Sequence, residues 1–244
     1  MTQPALSVAS VSHDYTGKQA LNNISFDIQP GQLLALLGPN GAGKSTLFAL
    51  ITRLLKTQNG KIEIFGESLQ RSREKTLRNV GVVFQQSTLD LDLTVAQNLA
   101  YHAALHGISQ RQAKKTIAQE LERLDLPDCI DTKIRKLNGG HRRRVEIARA
   151  LMHQPRLLLL DEATVGLDID SRALLNQHVR SLCAERHMAV LWTTHLIEEI
   201  QPQDQLLLID KGLSQAYGPC TTVLEQHRCD TLKQLFKQLT GAKQ

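Results

Sequence analysis

Residues 33–46 read LLALLGPNGAGKST, and this stretch decides the fold. Five apolar residues, Leu33 to Leu37, precede a segment that matches the phosphate-loop pattern G-x-x-x-x-G-K-[ST] from Gly38 to Ser45. A short apolar run is typical of a strand buried on both faces, and TLFALITRLL after the loop has helical character. We therefore predict a strand, a phosphate-binding loop and a helix whose positive end faces the loop.

The loop residues have a specific chemistry in this pattern. Lys44 is expected to reach the β- and γ-phosphates of a nucleotide, and the Ser45 hydroxyl to bind Mg²⁺. The alternative is a glycine-rich turn with an exposed lysine, which average composition would produce in on the order of one chain in a hundred. The flanking strand and helix favour the phosphate site.

The composition bounds the class of protein. A chain of 244 residues with 41% hydrophobic content can bury a globular core. No apolar run is long enough to span a bilayer, and the start MTQPALSVASVSHDY lacks the features of a secretory signal, so we expect a cytoplasmic protein. A net charge of +5 favours anionic partners without choosing among them. Scattered cysteines predict neither a zinc site nor a disulfide framework: Cys129, Cys183, Cys220 and Cys229.

Further strands are predicted from apolar patterns. Four more short runs suit a largely parallel sheet buried on both faces: Val80 to Phe84, Leu157 to Leu160, Ala189 to Trp192 and Leu206 to Ile209. Other segments alternate apolar with polar residues, which predicts a smaller antiparallel layer: Ile24, Phe26 and Ile28, then Ile62 and Ile64.

Residues 86–135 are predicted to be a helical insertion. Two capping-box patterns indicate helix starts, one at Thr94 with Gln97 and one at Ser109 with Gln112. The second helix has a core-facing apolar stripe and is expected to end at Leu126-Pro127-Asp128: the stripe is Ile117, Leu121 and Leu124.

Two carboxylates follow the Leu157 to Leu160 strand. Asp161 and Glu162 would emerge at the carboxyl end of the sheet, where α/β folds bind ligands. Asp161 can hold Mg²⁺, and Glu162 can accept a proton from an attacking water. Capping of the next helix is the alternative for an isolated pair. The phosphate loop in the same chain favours the catalytic interpretation.

Residues 137–144, LNGGHRRR, allow three interpretations: a nucleic-acid patch, a solvated helix face, or half of a phosphate site. The glycine pair permits close approach of the main chain to an anion, and a helix that starts near His141 would direct its dipole there. A nucleic-acid surface would need more than one basic run.

Taken in order, these motifs resemble the ATP-binding subunit of the ABC transporter superfamily over nearly the whole chain. The resemblance implies an α/β P-loop NTPase (RecA-like) core with a mostly parallel sheet, an antiparallel β layer and a helical subdomain. It implies a single domain, 1–244. Within it, the core spans 1–85 and 136–215, the helical subdomain 86–135, and a C-terminal helical tail 216–244.

The same resemblance assigns the site residues. Tyr15 is the adenine-stacking aromatic, although a lone tyrosine more often serves only in packing. Gln85 senses Mg²⁺ and the γ-phosphate, with a one-residue ambiguity toward Gln86. Mg²⁺ is held by Ser45, Gln85 and Asp161. The remaining expected ATP contacts are Gly38, Pro39, Asn40, Gly41, Ala42, Gly43, Lys44 and Thr46.

LNGGH stands where the family has LSGGQ, which binds the γ-phosphate of ATP held by the opposite subunit. Asn138 replaces serine, and its amide N–H₂ can donate to phosphate as a hydroxyl does. His141 replaces glutamine and is expected to be a neutral polar residue. The segment comprises Leu137, Asn138, Gly139, Gly140 and His141.

Two downstream motifs complete the resemblance. TVGLD places Asp168 at a dimer seam, where helix capping is the alternative, and AVLWTTHLIEE makes His195 the γ-phosphate switch. Catalysis is then assigned to Glu162, His195 and Lys44. Two copies would sandwich two ATP molecules, and Asn138 to His141 of one copy would complete the site of the other.

The partners follow from the family. We expect separate transmembrane permease subunits, a peripheral position on the inner face of the cell membrane, and no direct nucleic-acid contact. GGHRRRVEIARAL and VGLD look more like the drug-resistance and ABC-2 export branch than like importers. Soluble ABC ATPases that act on ribosomes or DNA, importer subunits and a binding-only module remain alternatives. An amphipathic tail helix is expected to pack on the core: Leu232, Leu235, Phe236 and Leu239.

Overall fold

The strand before the glycine-rich loop lies in the interior of a six-stranded sheet in the computed structural model of the chain, which describes residues 3–241 without the side chain of Arg73. The outermost residues of the predicted domain, 1–2 and 242–244, lie outside this part. In sheet order the strands are β10 (Leu213–Pro219), β9 (Gln205–Asp210), β3 (Leu33–Leu37), β8 (Ala189–Thr194), β7 (Leu157–Asp161) and β6 (Val80–Val83). Only β10 is antiparallel to its neighbour. The predicted parallel sheet is confirmed.

A second sheet is entirely antiparallel. Its order is β2 (Lys18–Ile28), β1 (Leu6–Tyr15), β4 (Asn59–Ile64) and β5 (Glu67–Ser68). The alternating residues Ile24, Phe26 and Ile28 are buried on one face. The predicted antiparallel layer is therefore confirmed.

The β3 strand is continuously apolar because each of its faces meets a different core. Leu33, Ala35 and Leu37 pack among the helices of the insertion and their neighbours. Leu34 and Leu36 face the core that the antiparallel sheet shares with the first helix. This burial on both sides holds the carboxyl end of β3, and hence the loop that follows, in a fixed position.

Eight α-helices connect these strands within the described residues. In chain order they are α1 (Lys44–Ile51), α2 (Arg73–Leu77), α3 (Val95–Leu105), α4 (Gln110–Arg123), α5 (Gly139–Leu151), α6 (Ile169–Arg186), α7 (Cys220–Gln226) and α8 (Leu232–Thr240). Three short 3-10 helices span Pro127–Cys129, Ile134–Lys136 and Ile197–Glu199. None of the helices in residues 3–241 combines the length and apolarity that crossing a membrane requires.

The starts of α3 and α4 were predicted correctly, and the end of α4 was not. Thr94 and Gln97 form a complete capping box, whereas at Ser109 only the serine side chain accepts from the main chain. The helix α4 ends at Arg123, earlier than Leu126-Pro127-Asp128, because Asp125 adopts a φ of 52°. Pro127 instead begins a 3-10 helix, a position that needs no N–H donor.

The strand β10 was missed by the sequence analysis, which assigned residues 216–219 to the helical tail. A two-residue turn, Lys211-Gly212, joins β9 to β10, with φ values of 49° and 76°. Positive φ at both positions is typical of the tight turns that match strand twist. The tail helix α8 was predicted correctly, and its residues Leu232, Leu235 and Phe236 are buried in the core.

Candidate functional site

The glycine-rich loop is shaped by close main-chain contacts. A Cβ on Gly38 would lie 2.3 Å from the carbonyl oxygen of Ile209 in β9, so no larger residue fits there. Gly43 caps α1 with a φ of 112°, a conformation that glycine adopts without strain. The loop is therefore pressed against the sheet, and the N-terminus of α1 opens into it.

Lys44 folds back over the loop that precedes it. Its Nζ donates to the carbonyl oxygens of Gly38 at 2.6 Å and Pro39 at 3.1 Å. Burial lowers the pKa of Lys44, while the carboxylates of Glu162 and Asp161 oppose that shift. The two carbonyl oxygens that accept from Lys44 are neutral, so they leave its positive charge uncompensated. A negatively charged phosphate oxygen would bind the buried ammonium more strongly than they do.

A cavity of about 380 Å³ lies in front of the loop. Six of the nine predicted loop residues line it: Asn40, Gly41, Gly43, Lys44, Ser45 and Thr46. Gly38, Pro39 and Ala42 do not. Tyr15 and Glu162 do, and the Tyr15 ring is 46% exposed with its hydroxyl 3.5 Å from Thr46 Oγ1. An exposed ring at the mouth of the cavity is suited to stacking on a base.

The turn Lys211-Gly212 is part of the same site and was not identified from the sequence. Both of its residues line the cavity. Gly212 N–H donates to the Ala42 carbonyl at 2.9 Å, and the Gly212 carbonyl accepts from Asn22 N–H at 2.8 Å. The β9–β10 turn thus joins the loop to the antiparallel sheet. Its Lys-Gly pair after an apolar strand was the available signal.

Asp161 is the last residue of β7 and lies opposite Thr193 in β8. Thr193 Oγ1 donates to Asp161 Oδ1 at 2.7 Å. Burial raises the pKa of Asp161, and the hydrogen bond from Thr193 and the charge of Lys44 work against that shift. A carboxylate that burial destabilises gains from a nearby cation.

Glu162 lies between two predicted site residues. Gln85 Nε2 donates to Glu162 Oε2 at 3.0 Å, and His195 Nδ1 is 3.4 Å from Glu162 Oε1. The main chain of Glu162 has a φ of 45°, and its N–H is shared between Thr193 O and Thr193 Oγ1. Glu162 lines the cavity.

Ser45 lines the cavity, Gln85 contacts Glu162 and Asp161 precedes Glu162, and together their oxygen donors fit a hard divalent cation. Ser45 offers a hydroxyl, Asp161 a carboxylate and Gln85 an amide oxygen, and Mg²⁺ prefers oxygen ligands of these kinds. Because Gln85 uses its N–H₂ group on Glu162, its amide oxygen is left to accept or coordinate. That contact also favours Gln85 over Gln86 as the functional glutamine.

The segment Leu137 to His141 forms the start of α5. Asn138 is its N-cap, and Asn138 Oδ1 accepts from His141 N–H at 2.8 Å. The helix begins at Gly139, two residues before the predicted start near His141. The Asn138 side chain supplies a hydrogen-bond acceptor for the N–H groups of the first turn, which have no partner within the helix. A Cβ on Gly140 would lie 2.4 Å from Ser171 Oγ, so that glycine is required for packing.

His141 and Asp168 also lie at helix starts. Burial lowers the pKa of His141, and Arg144 lowers it further, so the ring is neutral near pH 7. Asp168 caps α6 through Ser171, whose N–H and hydroxyl both donate to it at 2.8 Å. None of Leu137 to His141, and not Asp168, lines the cavity of the same chain.

The three arginines after the glycine pair bind main-chain carbonyls within the chain. Arg143 donates to Phe84 O at 2.7 Å and Gln85 O at 2.9 Å, and Arg144 to Leu124 O at 2.8 Å. Arg142 donates to the carbonyls of residues 134 and 135. The helix α5 therefore holds the glutamine segment directly, a role that the sequence did not indicate.

Comparisons with known proteins agree with this geometry. Residues 21–165 match the ABC transporter family. The chain is 37% identical over 231 residues to a Nod factor export ATP-binding protein I of Rhizobium johnstonii, covering 94% of this chain and 74% of that one. It is 36% identical to the linearmycin resistance ATP-binding protein LnrL of Bacillus subtilis, with the same coverage. The structure of cbiO1 from Clostridium perfringens, part of the transporter complex cbiONQ, aligns with a TM-score of 0.84 at 27% identity over 92% of each chain.

Proposed function

The chain belongs to the ABC transporter family of ATP-binding, ATP-hydrolysing subunits, and on that premise we propose which of its residues bind ATP, hydrolyse it and pass the effect to a membrane partner. The observation that carries the proposal is the position of Glu162 between Gln85 and His195 at the edge of the loop cavity.

ATP is held by the glycine-rich loop and Lys44, with its base against Tyr15. The main-chain N–H groups of the loop and the N-terminus of α1 supply donors for the phosphates. Lys44 Nζ, now on Gly38 O and Pro39 O, exchanges those neutral acceptors for phosphate oxygens. Positive charge and fixed donors at the terminal phosphate offset the charge that develops there.

Glu162 orients the water that attacks the γ-phosphate in line and accepts its proton. Gln85 holds one carboxylate oxygen, so the other remains for the water. His195, 3.4 Å from that second oxygen, reaches the same region and donates to the γ-phosphate. Ser45, Asp161 and Gln85 would hold Mg²⁺, which neutralises charge on the β- and γ-phosphate oxygens when bound.

The site of one chain is completed by a second copy. Asn138 and Gly139 lie at a helix N-terminus that does not line the chain's own cavity, although its donors suit a terminal phosphate. Ile169, 80% exposed beside Asp168, is an apolar side chain without cover on this same surface. A head-to-tail homodimer would bury Ile169 and bring Asn138 onto the partner's ATP.

The subunit acts on separate membrane permeases, most consistently in an export system. Its relatives are export and resistance ATP-binding proteins, and the related cbiO1 belongs to a complex with separate components. Exposed Leu91, Tyr101 and Leu105 lie in the helical insertion, close along the chain to Gln85, and offer a surface for that permease. The proposal includes the division of the chain into a core, the insertion 86–135 and a tail. It also includes peripheral attachment of the subunit to the membrane.

Two substitutions separate binding from hydrolysis. Glu162→Gln keeps the carboxylate's shape without its basicity, so ATP affinity should stay within about threefold while phosphate release falls by at least about a hundredfold. Lys44→Ala should instead weaken ATP binding by roughly ten- to a hundredfold, through loss of a charge-assisted contact. Equilibrium dialysis and phosphate release measure the two effects.

The Glu162→Gln protein also tests the dimer. Because it cannot clear its nucleotide, it should dimerise with ATP in light scattering. A further Gly139→Asp exchange should abolish that dimer, because an added Cβ there makes only an ordinary contact within its own chain while the carboxylate repels phosphate. Full turnover in Glu162→Gln would remove Glu162 from the mechanism. A Glu162→Gln protein that stays monomeric with saturating ATP would contradict the shared site.

A further inference from the structure

Three histidines meet where the helical insertion contacts the core, and none of them lines the cavity at the glycine-rich loop. His102 lies in the last turn of α3, His106 is the C-cap of that helix, and His153 follows the end of α5. One ring nitrogen of each histidine lies within 4.8 Å of those of the other two. Residues 102 and 153 are distant in sequence, so the pattern gave no sign of this cluster.

The hydrogen bonds leave two buried ring nitrogens of the cluster without a partner. His153 Nε2 lies 3.0 Å from the carbonyl oxygen of Val80. A carbonyl only accepts, so Nε2 carries the proton and Nδ1 keeps its lone pair. His153 Nδ1 and His102 Nε2 are both buried without a hydrogen-bond partner in the described structure. A ring that donates to a backbone carbonyl and presents its other nitrogen is typical of a metal ligand.

The rings are also in the protonation state that binds metals. Burial lowers the pKa of His102 and of His153 to about 4, and nearby positive groups contribute, among them Arg149 at His102. Both imidazoles are therefore neutral at pH 7, the form that coordinates. The positive charge of Arg149 repels a metal cation, so the attraction must come from coordination bonds to the ring nitrogens.

We propose that His102, His106 and His153 form a site for a divalent transition-metal ion of the zinc class. Three neutral nitrogens without a carboxylate suit Zn²⁺, Cu²⁺ or Ni²⁺ and do not suit Mg²⁺ or Ca²⁺, which take oxygen ligands. His106 and His153 also line a cavity of about 1020 Å³, through which the ion enters and from which water supplies a fourth ligand.

Binding requires one local adjustment. Nitrogen ligands at about 2.1 Å from zinc in a tetrahedron lie roughly 3.4 Å apart. The three ring nitrogens of the cluster lie within 4.8 Å of one another, so they must move closer together. The His106 and His153 rings stack with centroids 4.0 Å apart and 10° between their planes, so their in-plane lone pairs run parallel and do not converge. His106 is exposed, and its ring is free to turn out of the stack toward His102.

The ion would join two parts of the chain. His102 and His106 belong to α3 of the insertion, whereas His153 is attached to α5 and, through Val80, to β6. Metal binding therefore fixes the insertion to the strand that leads to Gln85. Since only the folded chain assembles the three rings, the metal should raise the unfolding temperature.

The test is calorimetric titration of chelator-treated, nucleotide-free protein with Zn²⁺, and of His106→Gln, His153→Gln and the control His227→Gln. All four proteins carry Cys129→Ser to remove a thiol near His141. The wild-type cluster should bind one equivalent and melt about 5–10 °C higher at roughly a hundred times the dissociation constant. Mg²⁺ at the same concentration should leave the melting temperature unchanged.

The variants decide the result. His106→Gln alters an exposed ring and should fold normally, yet it should bind Zn²⁺ at least tenfold more weakly, as should His153→Gln, while His227→Gln binds as the parent does. Co²⁺ should give the visible absorption of a nitrogen-ligated ion in the parent and in His227→Gln, and not in His106→Gln or His153→Gln. Equal Zn²⁺ affinity in the parent and His106→Gln, or no binding by the parent at stoichiometric metal, would overturn the proposal.

Discussion

Arg143 donates to the main-chain carbonyl of Gln85 at 2.9 Å, so the helix that begins at the glycine pair holds the glutamine that contacts Glu162. Arg143 is also paired with Glu146 at 2.6 Å, and both side chains are buried. Glu146 accepts in turn from Thr88 N–H at 3.2 Å. A movement of α5 therefore moves Gln85 and its contact to Glu162 with it.

Replacement of Arg143 should lower the stability of the folded chain. Arg143→Ala leaves a buried carboxylate without its cation and should lower the free energy of unfolding by about 3–5 kcal/mol, measured in urea. The control Arg142→Ala loses contacts to residues 134 and 135 on a less buried side chain, and should cost about 1 kcal/mol. Equal destabilisation by the two variants would contradict the role assigned to Arg143.

Replacement of Asn138 by the family's serine should leave the stability of the chain unchanged, whereas replacement by alanine should lower it. Serine also accepts from the first-turn N–H, so Asn138→Ser should stay within about 0.5 kcal/mol of the parent. Asn138→Ala removes the contact to His141 N–H and should cost about 1 kcal/mol. Thermal unfolding measures both. If the alanine variant matches the serine variant, Asn138 does not cap α5.

Two glycines of the loop should differ in their response to alanine. A Cβ on Gly41 meets nothing within 4 Å, and its cost is the strain of a φ of 79°, about 1 kcal/mol. A Cβ on Gly38 would overlap Ile209 O and force β3 away from β9. Such overpacking should lower the free energy of unfolding by about 3 kcal/mol. Urea midpoints compare them, and a Gly38→Ala protein as stable as Gly41→Ala would show that the loop can move.

Glu199 should make stability depend on pH. Burial raises its pKa, although Thr194 Oγ1 donates to it at 2.5 Å. The folded chain therefore keeps the proton at a pH where the unfolded chain has lost it, and stability falls as pH rises from the ordinary carboxyl pKa to the raised one. Above that range the penalty is constant.

Glu199→Gln removes this ionisation. The stability of Glu199→Gln minus that of the parent should increase with pH across that range, by at most about 1.4 kcal/mol per pH unit. Urea unfolding at a series of pH values measures the difference. A difference that is independent of pH would show that the carboxyl group titrates normally in the folded chain.

Much of the site was predictable because it depends on local pattern. The run before Gly38 and the loop glycines specify a strand and a phosphate loop by burial and main-chain freedom alone. Asp161 and Glu162 follow a buried strand, which places them at the ligand-binding edge of a parallel sheet. The roles of Gln85 and His195 came from the family resemblance and not from the residues.

Other features depend on contacts between distant segments. Lys211-Gly212 reads as an ordinary turn, and only the packing of Gly212 against Ala42 and Asn22 makes it part of the cavity. Likewise, the sequence placed the arginines 142–144 in the first turns of a helix without indicating any contact for them. Their long side chains reach carbonyls across the fold, which no local spacing indicates.

The sequence by itself determined the phosphate loop, the two kinds of sheet and the helical insertion, since periodicity and glycine positions act over a few neighbouring residues. The tertiary structure alone decided which lone pairs and charges face each other. It put Gln85 and His195 on either side of Glu162, tied Arg143 to Gln85, and gathered His102, His106 and His153. Hydrogen bonds and metal coordination act over a few ångströms, and only folding brings residues far apart in the chain to that distance.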